Sequence, residues 1–427
     1  MSVPWNPLFS GDTAAQALGI VQEIAAATSS GAFDPPGNVH PIVASNWQNS
    51  LDGRAGQSLL HAYLAFQGAG DAYSDTAIDL LDQATDAAAT LRLTPSLYFG
   101  FSGIGWVTTH LAGRLFEEEE DSCLQIDEIL LGSLTRLSEE GKYDLFEGLV
   151  GLGAYALERL PRPSAVSLLE AVVAHLAAQA DHTAEGACFF NSPEVMAPQY
   201  GEIFPRGTYN LGMAHGASGV IALLGSVCQA GIATEQARPL LEASVSWLLA
   251  RERPAGSDFL FPNTYTPESP GVDRSRLSWC HGDLGVATAL LVAARGAGEA
   301  SWESAARRIA LTAATRSTDD PRVADAELCH GAAGIGHIFN RLYQTTGEEL
   351  LGEAARSWLG RALAMHEPGL GVGGYRMAQA GKWFDHPGFR IGSSGVGLAL
   401  LASVSPVEPG WDRLLLASSA ESRVSRL

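Results

Sequence analysis

Two Cys-His-Gly triplets, Cys280-His281-Gly282 and Cys329-His330-Gly331, stand 49 residues apart, and Ala214-His215-Gly216 repeats the His-Gly half of the pattern. Thiolates and neutral imidazoles are the donors that hold Zn2+, and three of them leave one tetrahedral position open for water or substrate. Cys280, Cys329 and His330 make such a set, provided the fold gathers equivalent points of a repeat onto one rim. One Cys-His-Gly is a weak signal, because a buried Cys most often only packs. Two at matching positions are a stronger one.

The elements that must position these residues are announced by a Gly-x-x-Gly step leading into an apolar stretch. The pairs begin at Gly53, Gly100, Gly148, Gly216, Gly282, Gly331 and Gly392, separated by 47, 48, 68, 66, 49 and 61 residues. One such step means little in a chain with 47 glycines. Seven, each entering a helix-like run, read as a degenerate array of helix pairs. The run after Gly282 is apolar nearly all round, which predicts a buried inner helix, whereas 164–180 and 234–251 are amphipathic and predict an outer layer. Glycine inside a helix costs about 1 kcal/mol against alanine, so the steps need a reason. Close helix approach or exposed backbone at a helix start would supply it. The long intervals hold 188–210 and 254–278, rich in aromatics, Pro, Gly and Asn, which predict ordered loops or short strands on one rim. The acidic run Glu117 to Asp121 reads as a solvated turn.

Composition narrows the function classes. The 427 residues are 46% hydrophobic and carry 27 Lys plus Arg against 47 Asp plus Glu, a formal charge of -20. That excess opposes the counterion release on which nucleic-acid binders depend, and it argues equally against a polybasic membrane patch. No apolar run reaches the roughly 20 residues of a bilayer span. Residues 1–9 lack a basic stretch followed by an apolar core, so no signal peptide is expected and a cytoplasmic location is. Five cysteines, an odd and sparse number, argue against a disulfide framework. No strand-linked glycine fingerprint or Walker sequence points to a reductase or a phosphate enzyme.

At the level of motifs the chain resembles the lanthionine synthetase C-like cyclases, the family that includes the class I lanthipeptide cyclases. The resemblance rests on Gly212-Met-Ala-His-Gly-Ala-Ser-Gly219, Ser278-Trp-Cys-His-Gly-Asp-Leu-Gly285 and Cys329-His-Gly-Ala-Ala-Gly334, in that order, and the seven glycine steps extend it from about Gly53 to Leu401. It implies an all-α fold, an α/α toroid of seven inner and seven outer helices with long rim loops, forming a single domain over 1–427. It implies one zinc on Cys280, Cys329 and His330, with His215, Asp144 and Arg276 near the reacting groups. Asp144 lies four residues before Gly148, and Arg276 four before Cys280; spacing alone would make the first a helix-start cap or a surface charge and the second a loop ion pair. One departure is His281, where these cyclases often carry Tyr. Proton transfer and competition with His330 for the metal both remain open for it.

The reaction that the resemblance implies is an intramolecular Michael addition. A cysteine of a dehydrated precursor peptide adds to a dehydroalanine or dehydrobutyrine of the same peptide and closes a lanthionine or methyllanthionine ring. His215, with an ordinary pKa of about 6.5, is the candidate for proton transfer to the α-carbon. Asp144 would fix its tautomer or accept a proton, and Arg276 would stabilise enolate charge. Expected partners are the precursor peptide and a dehydratase and exporter of the same pathway. Two other readings compete: another zinc-dependent thiol alkylation, as in prenyltransferase-like subunits, and a peptide- or glutathione-binding scaffold without cyclase activity. His337 and His110 are read as structural. His40, His61, His175, His182, His366 and His386 show no partner pattern, and Cys123, Cys188 and Cys228 are read as packing thiols.

Overall fold

The computed structural model describes residues 5–31, 44, 47–196, 198–254, 256–267, 275–379 and 381–418. His40 and part of the 254–278 segment lie outside them. Chain order begins with α1 (Gly11–Thr28), α2 (Arg54–Phe66), α3 (Asp71–Thr90), α4 (Phe101–Leu111), α5 (Leu124–Glu139), α6 (Leu149–Arg159) and α7 (Pro163–Gln179). Short strands follow, β1 (Asp181–Thr183), β2 (Gly186–Cys188) and β3 (Phe190–Asn191), then α8 (Pro198–Ile203) and β4 (Thr208–Asn210). Next come α9 (Ala217–Ala230), α10 (Thr234–Leu249), β5 (Thr264–Tyr265), α11 (Asp283–Ala297) and α12 (Ala300–Ala314). The chain continues with α13 (Ala332–Thr346), α14 (Glu349–Ala364), β6 (Met377–Gln379), β7 (Lys382–Phe384) and α15 (Ser393–Val404), and a 3-10 turn at Gly410–Leu415 ends the series.

Two kinds of helix alternate. In α15 every residue from Ser393 to Ser403 is buried, as the all-round apolar sequence requires. In α3 only Ala77, Leu80, Leu81 and Ala84 are buried, a single stripe at helical spacing. Among the described residues α2, α4, α6, α9, α11, α13 and α15 are of the first kind. The helices α1, α3, α5, α7, α10, α12 and α14 are of the second.

The helices divide into two compact units. In the unit formed by Met1–Cys123 and Ala314–Trp411, the buried helices pack in the order α13, α15, α2, α4, with α14, α1 and α3 laid against them. Each leucine buried here, such as Leu59, Leu60 and Leu64 of α2, stabilises by about 1.5–3 kcal/mol relative to exposure. In the unit formed by Leu124–Ala313 and Asp412–Leu427, α6, α9 and α11 pack in a row, with α7 and α10 outside them and α5 against both α6 and α7. The same unit holds the β1–β2 hairpin and an antiparallel sheet ordered β3-β4-β5, in which Tyr209 pairs with Phe190 and with Tyr265. Of the two aromatic-rich segments, 188–210 thus contributes β3, β4 and the unforeseen helix α8, and 254–278 contributes β5.

The glycine steps have a different reason from helix crossing. The first Gly of each is the N-cap of a buried helix. A Cβ there would strike the loop just before it: at Gly100 the carbonyl of Thr94, at Gly216 that of Asn210. The second Gly meets the same loop, as Gly285 does Trp279 and Gly334 does Leu328. Each loop therefore folds back onto the start of the helix that it feeds. The close crossing occurs elsewhere, between Gly225 of α9 and Gly296 of α11, whose backbones leave no room for a Cβ.

Candidate active site and metal ligands

Asp144 sits in the turn that opens α6. Its carbonyl accepts the N–H of Gly148 (3.1 Å) and Gly151 (3.2 Å), and its Oδ1 accepts the Glu147 N–H at 2.8 Å. This oxygen closes the turn ahead of the N-cap Gly148 rather than capping α6 itself, and it leaves the second oxygen for another use. Oδ2 lies 2.5 Å from His215 Nδ1, a contact across 71 residues of sequence. The side chains are 20% and 42% exposed, respectively, so the pair can be reached from solvent.

The loop that carries His215 is held from both sides. The Ala214 carbonyl accepts the Leu145 N–H (3.1 Å), while the Cys280 carbonyl accepts the N–H groups of Met213 (2.9 Å) and Ala214 (3.3 Å). Tyr143 Oη lies 2.7 Å from Asn191 Oδ1 and 3.3 Å from the His215 carbonyl. Burial first, and then the neighbouring Asp144, push its phenol well above the usual range. Burial and Asp144 likewise raise Glu147. The edge of Phe146 packs on the His215 ring (4.7 Å between centroids) and its face on Trp279 (6.1 Å). Trp279 is itself pinned by Nε1 donating to the Leu415 carbonyl at 2.8 Å. An apolar floor therefore lies beside the carboxylate–imidazole pair.

Cys280 follows Trp279, with its sulfur 3.6 Å from Ser278 Oγ. His281 places its ring 6.5 Å from that of His215. The Asn210 amide lies 3.4 Å from His281 Nε2, and Asn210 Oδ1 accepts the Gly212 N–H at 2.8 Å. Arg276 is half-buried in the segment leading to Cys280, and its carbonyl packs against Gly282, whose φ of 76° suits glycine.

Cys329 and His330 lie in the loop before α13. The Cys329 N–H donates to the Arg390 carbonyl (3.1 Å). Arg390 is anchored twice by Asp52, through its N–H (2.9 Å) and its guanidinium (2.9 Å). Burial pulls this guanidinium down, but Asp52, Cys329 and Glu327 outweigh it and the net shift is upward. His330 Nε2 lies 2.8 Å from Glu327 Oε1. Asp325, buried and next to Glu327, is pushed up to about 6, although its contact with the Ala378 N–H opposes the shift.

Among the described residues, Cys280, Cys329 and His330 form a group that could hold a metal ion. Two thiols and an imidazole, with no carboxylate among them, are a donor set fitted to zinc. Asn210, Phe146, Trp279, Glu327 and Arg390 are site residues that the sequence reading passed over. For Asn210 and Trp279 a signal existed: each stands six residues before a step glycine whose Cβ would strike it.

The remaining histidines are held in packing or lie outside. His337 is buried and stacked on Trp411 (4.4 Å), and His110 is stacked on Trp106 (4.7 Å) with Tyr63 Oη at 2.9 Å. Burial lowers both His61 and His386 to about 4. His366 pairs with Glu23 (3.0 Å), His182 is exposed and His175 is half-buried. Cys123 and Cys188 are buried, and Cys228 is partly so; burial pushes the Cys188 thiol up to about 11.

The sequence model of the lanthionine synthetase C-like proteins matches residues 47–416. The chain belongs to that family. Among curated relatives of this lanthionine synthetase C-like protein is the nisin biosynthesis protein NisC of Lactococcus lactis subsp. lactis, 24% identical over 274 residues. That match covers 59% of this chain and 64% of NisC, less than two thirds of its length. Among solved structures, nisin cyclase superimposes with a TM-score of 0.75 at 19% identity, covering 94% of this chain and 97% of that one. The likeness shows the family's fold, an all-α, α/α toroid. No helix among the described residues is long and apolar enough to cross a membrane.

Proposed function

We propose that this chain is a lanthionine synthetase that closes thioether rings in a dehydrated precursor peptide. The observation that carries the reading is the Asp144–His215 contact at 2.5 Å, set on an apolar floor in a chain of the cyclase family. Cys280, Cys329 and His330 would hold zinc. When bound, zinc supplies the acidity that turns a peptide thiol, with an ordinary pKa of about 8.5, into a thiolate at neutral pH.

The residues of the chain manage the proton. In the net reaction the sulfur bonds to the β-carbon of the dehydro residue, the carbon–carbon double bond is lost and a proton reaches the α-carbon, at constant mass. Asp144, accepting from Nδ1–H of His215, fixes the tautomer in which Nε2 exchanges that proton. Arg276 would stabilise the enolate. His281, with the Asn210 amide donating to its Nε2, is the second candidate for proton transfer. Phe146, stacked in turn on Trp279, keeps bulk water from the side of the His215 ring that it contacts.

One family match spanning 47–416 supports reading the chain as a single domain. Its five free cysteines suit a reducing cytoplasm. A dehydratase must supply the dehydro residues, and an exporter of the same pathway would take the product. The test is to incubate the purified protein, after metal analysis, with a dehydrated peptide and to count alkylatable thiols by mass spectrometry. Cyclase activity removes peptide thiols without changing the mass, with about one zinc per chain as the ligand set predicts. Full retention of thiols by a zinc-loaded protein would favour the binding scaffold, and consumption of an isoprenoid diphosphate would favour the prenyltransferase-like reading.

A further inference from the structure

Glu327 is only 2% exposed, although it sits in a loop. Burying a carboxylate costs several kcal/mol unless a partner compensates. Its backbone has little latitude: the N–H contacts Asp325 Oδ1 (3.2 Å), and the carbonyl accepts Gly331 (3.0 Å) and Gly334 (3.3 Å). From this fixed turn Oε1 reaches to 2.8 Å from His330 Nε2. Two more carboxylates, Asp52 at 1% and Asp325 at 4% exposure, are buried in the same unit. Arg390 is the cation set against Asp52 and Glu327. This excess of buried negative charge works against folding in the absence of a cation and in favour of holding a dication.

We propose that Glu327 is a positioning residue for His330. Its carboxylate engages the Nε2 side of the ring, so that Nδ1 is the nitrogen offered to the metal, and its charge strengthens the imidazole as a donor. The proposal rests on the reading of Cys280, Cys329 and His330 as zinc ligands. A metal-ligating histidine needs such an outer partner to fix its tautomer and orientation.

The test uses the full chain stripped of metal, with zinc titrated against a chromophoric chelator, for wild type, Glu327→Ala and Glu327→Gln. Loss of the carboxylate is expected to weaken zinc binding by about 10- to 100-fold, with Gln, which keeps an acceptor oxygen, falling between Ala and wild type. The metal-free Ala variant is expected to melt no lower than wild type, because it has lost a buried charge. Wild-type zinc affinity in a folded variant, or a lowered melting temperature with unchanged affinity, would overturn the proposal; should Glu327→Ala not fold, the isosteric Gln variant decides in the same way. Failure of the wild type itself to bind zinc would instead strike the zinc reading beneath.

Discussion

Two carboxylates in the unit containing α5 to α11 hold basic side chains in opposite styles. Asp127 is sealed: Oδ1 accepts from Tyr155 (2.6 Å) and Arg159 Nε (3.0 Å), and Oδ2 from Arg159 (2.6 Å) and Ser164 (2.6 Å). Both ion-pair partners are at most 1% exposed. Asp144 instead gives one oxygen to its own turn and one to His215, in a pair open to solvent. A carboxylate with every lone pair engaged in the dry interior braces helices. One that keeps an oxygen for a reachable imidazole can take part in a reaction.

The contrast can be broken at either end. The largest effect is expected at the open pair: His215→Ala should slow ring closure by about 10²–10⁴-fold, read as peptide thiols consumed per minute, while the unfolding midpoint stays near that of wild type. A large loss of stability with little loss of rate would make the open pair another brace. At the sealed pair the signs reverse. Asp127→Ala strands the Arg159 charge and should cost about 3–5 kcal/mol in denaturant unfolding, while the rate per folded molecule holds.

The mildest test extends the contrast to imidazoles. His61 and His386 are sealed in the other unit, and burial lowers both to about 4. The unfolded chain protonates near 6.5 while the folded one resists, so stability is full above that pH and falls as pH drops from about 6.5 to about 4. Each buried ring should contribute a slope approaching about 1.4 kcal/mol per pH unit. A His61→Gln variant should flatten the slope between pH 6 and 5; an unchanged profile would mean that the ring is not sealed.

How far the sequence could be read depended on the kind of pattern. Buried helices such as α15 were legible because an all-round apolar run after a glycine step has few other places to go, and outer ones such as α10 because their apolar residues fall on one face. The pairing of Asp144 with His215 was not legible from spacing, since 71 residues separate them and only the family resemblance joined them. Glu327 was missed for another reason. It is a polar residue in an irregular loop, where no periodicity marks inward-pointing positions, and a buried acid looks in sequence like an exposed one. The glycine steps were found but their cause was not, because a loop folding back on its own helix leaves the same letters as two helices crossing.

That fold-back has an evolutionary consequence. A reagent-bearing residue one to four positions ahead of a step is held by the turn in which it sits and by the first coil of the next helix. Its chemistry can therefore be exchanged, as at His281, without disturbing the scaffold below. Such an architecture can retune its reactivity one loop at a time, and can lengthen a single loop, as between β2 and α9, at no cost to the others.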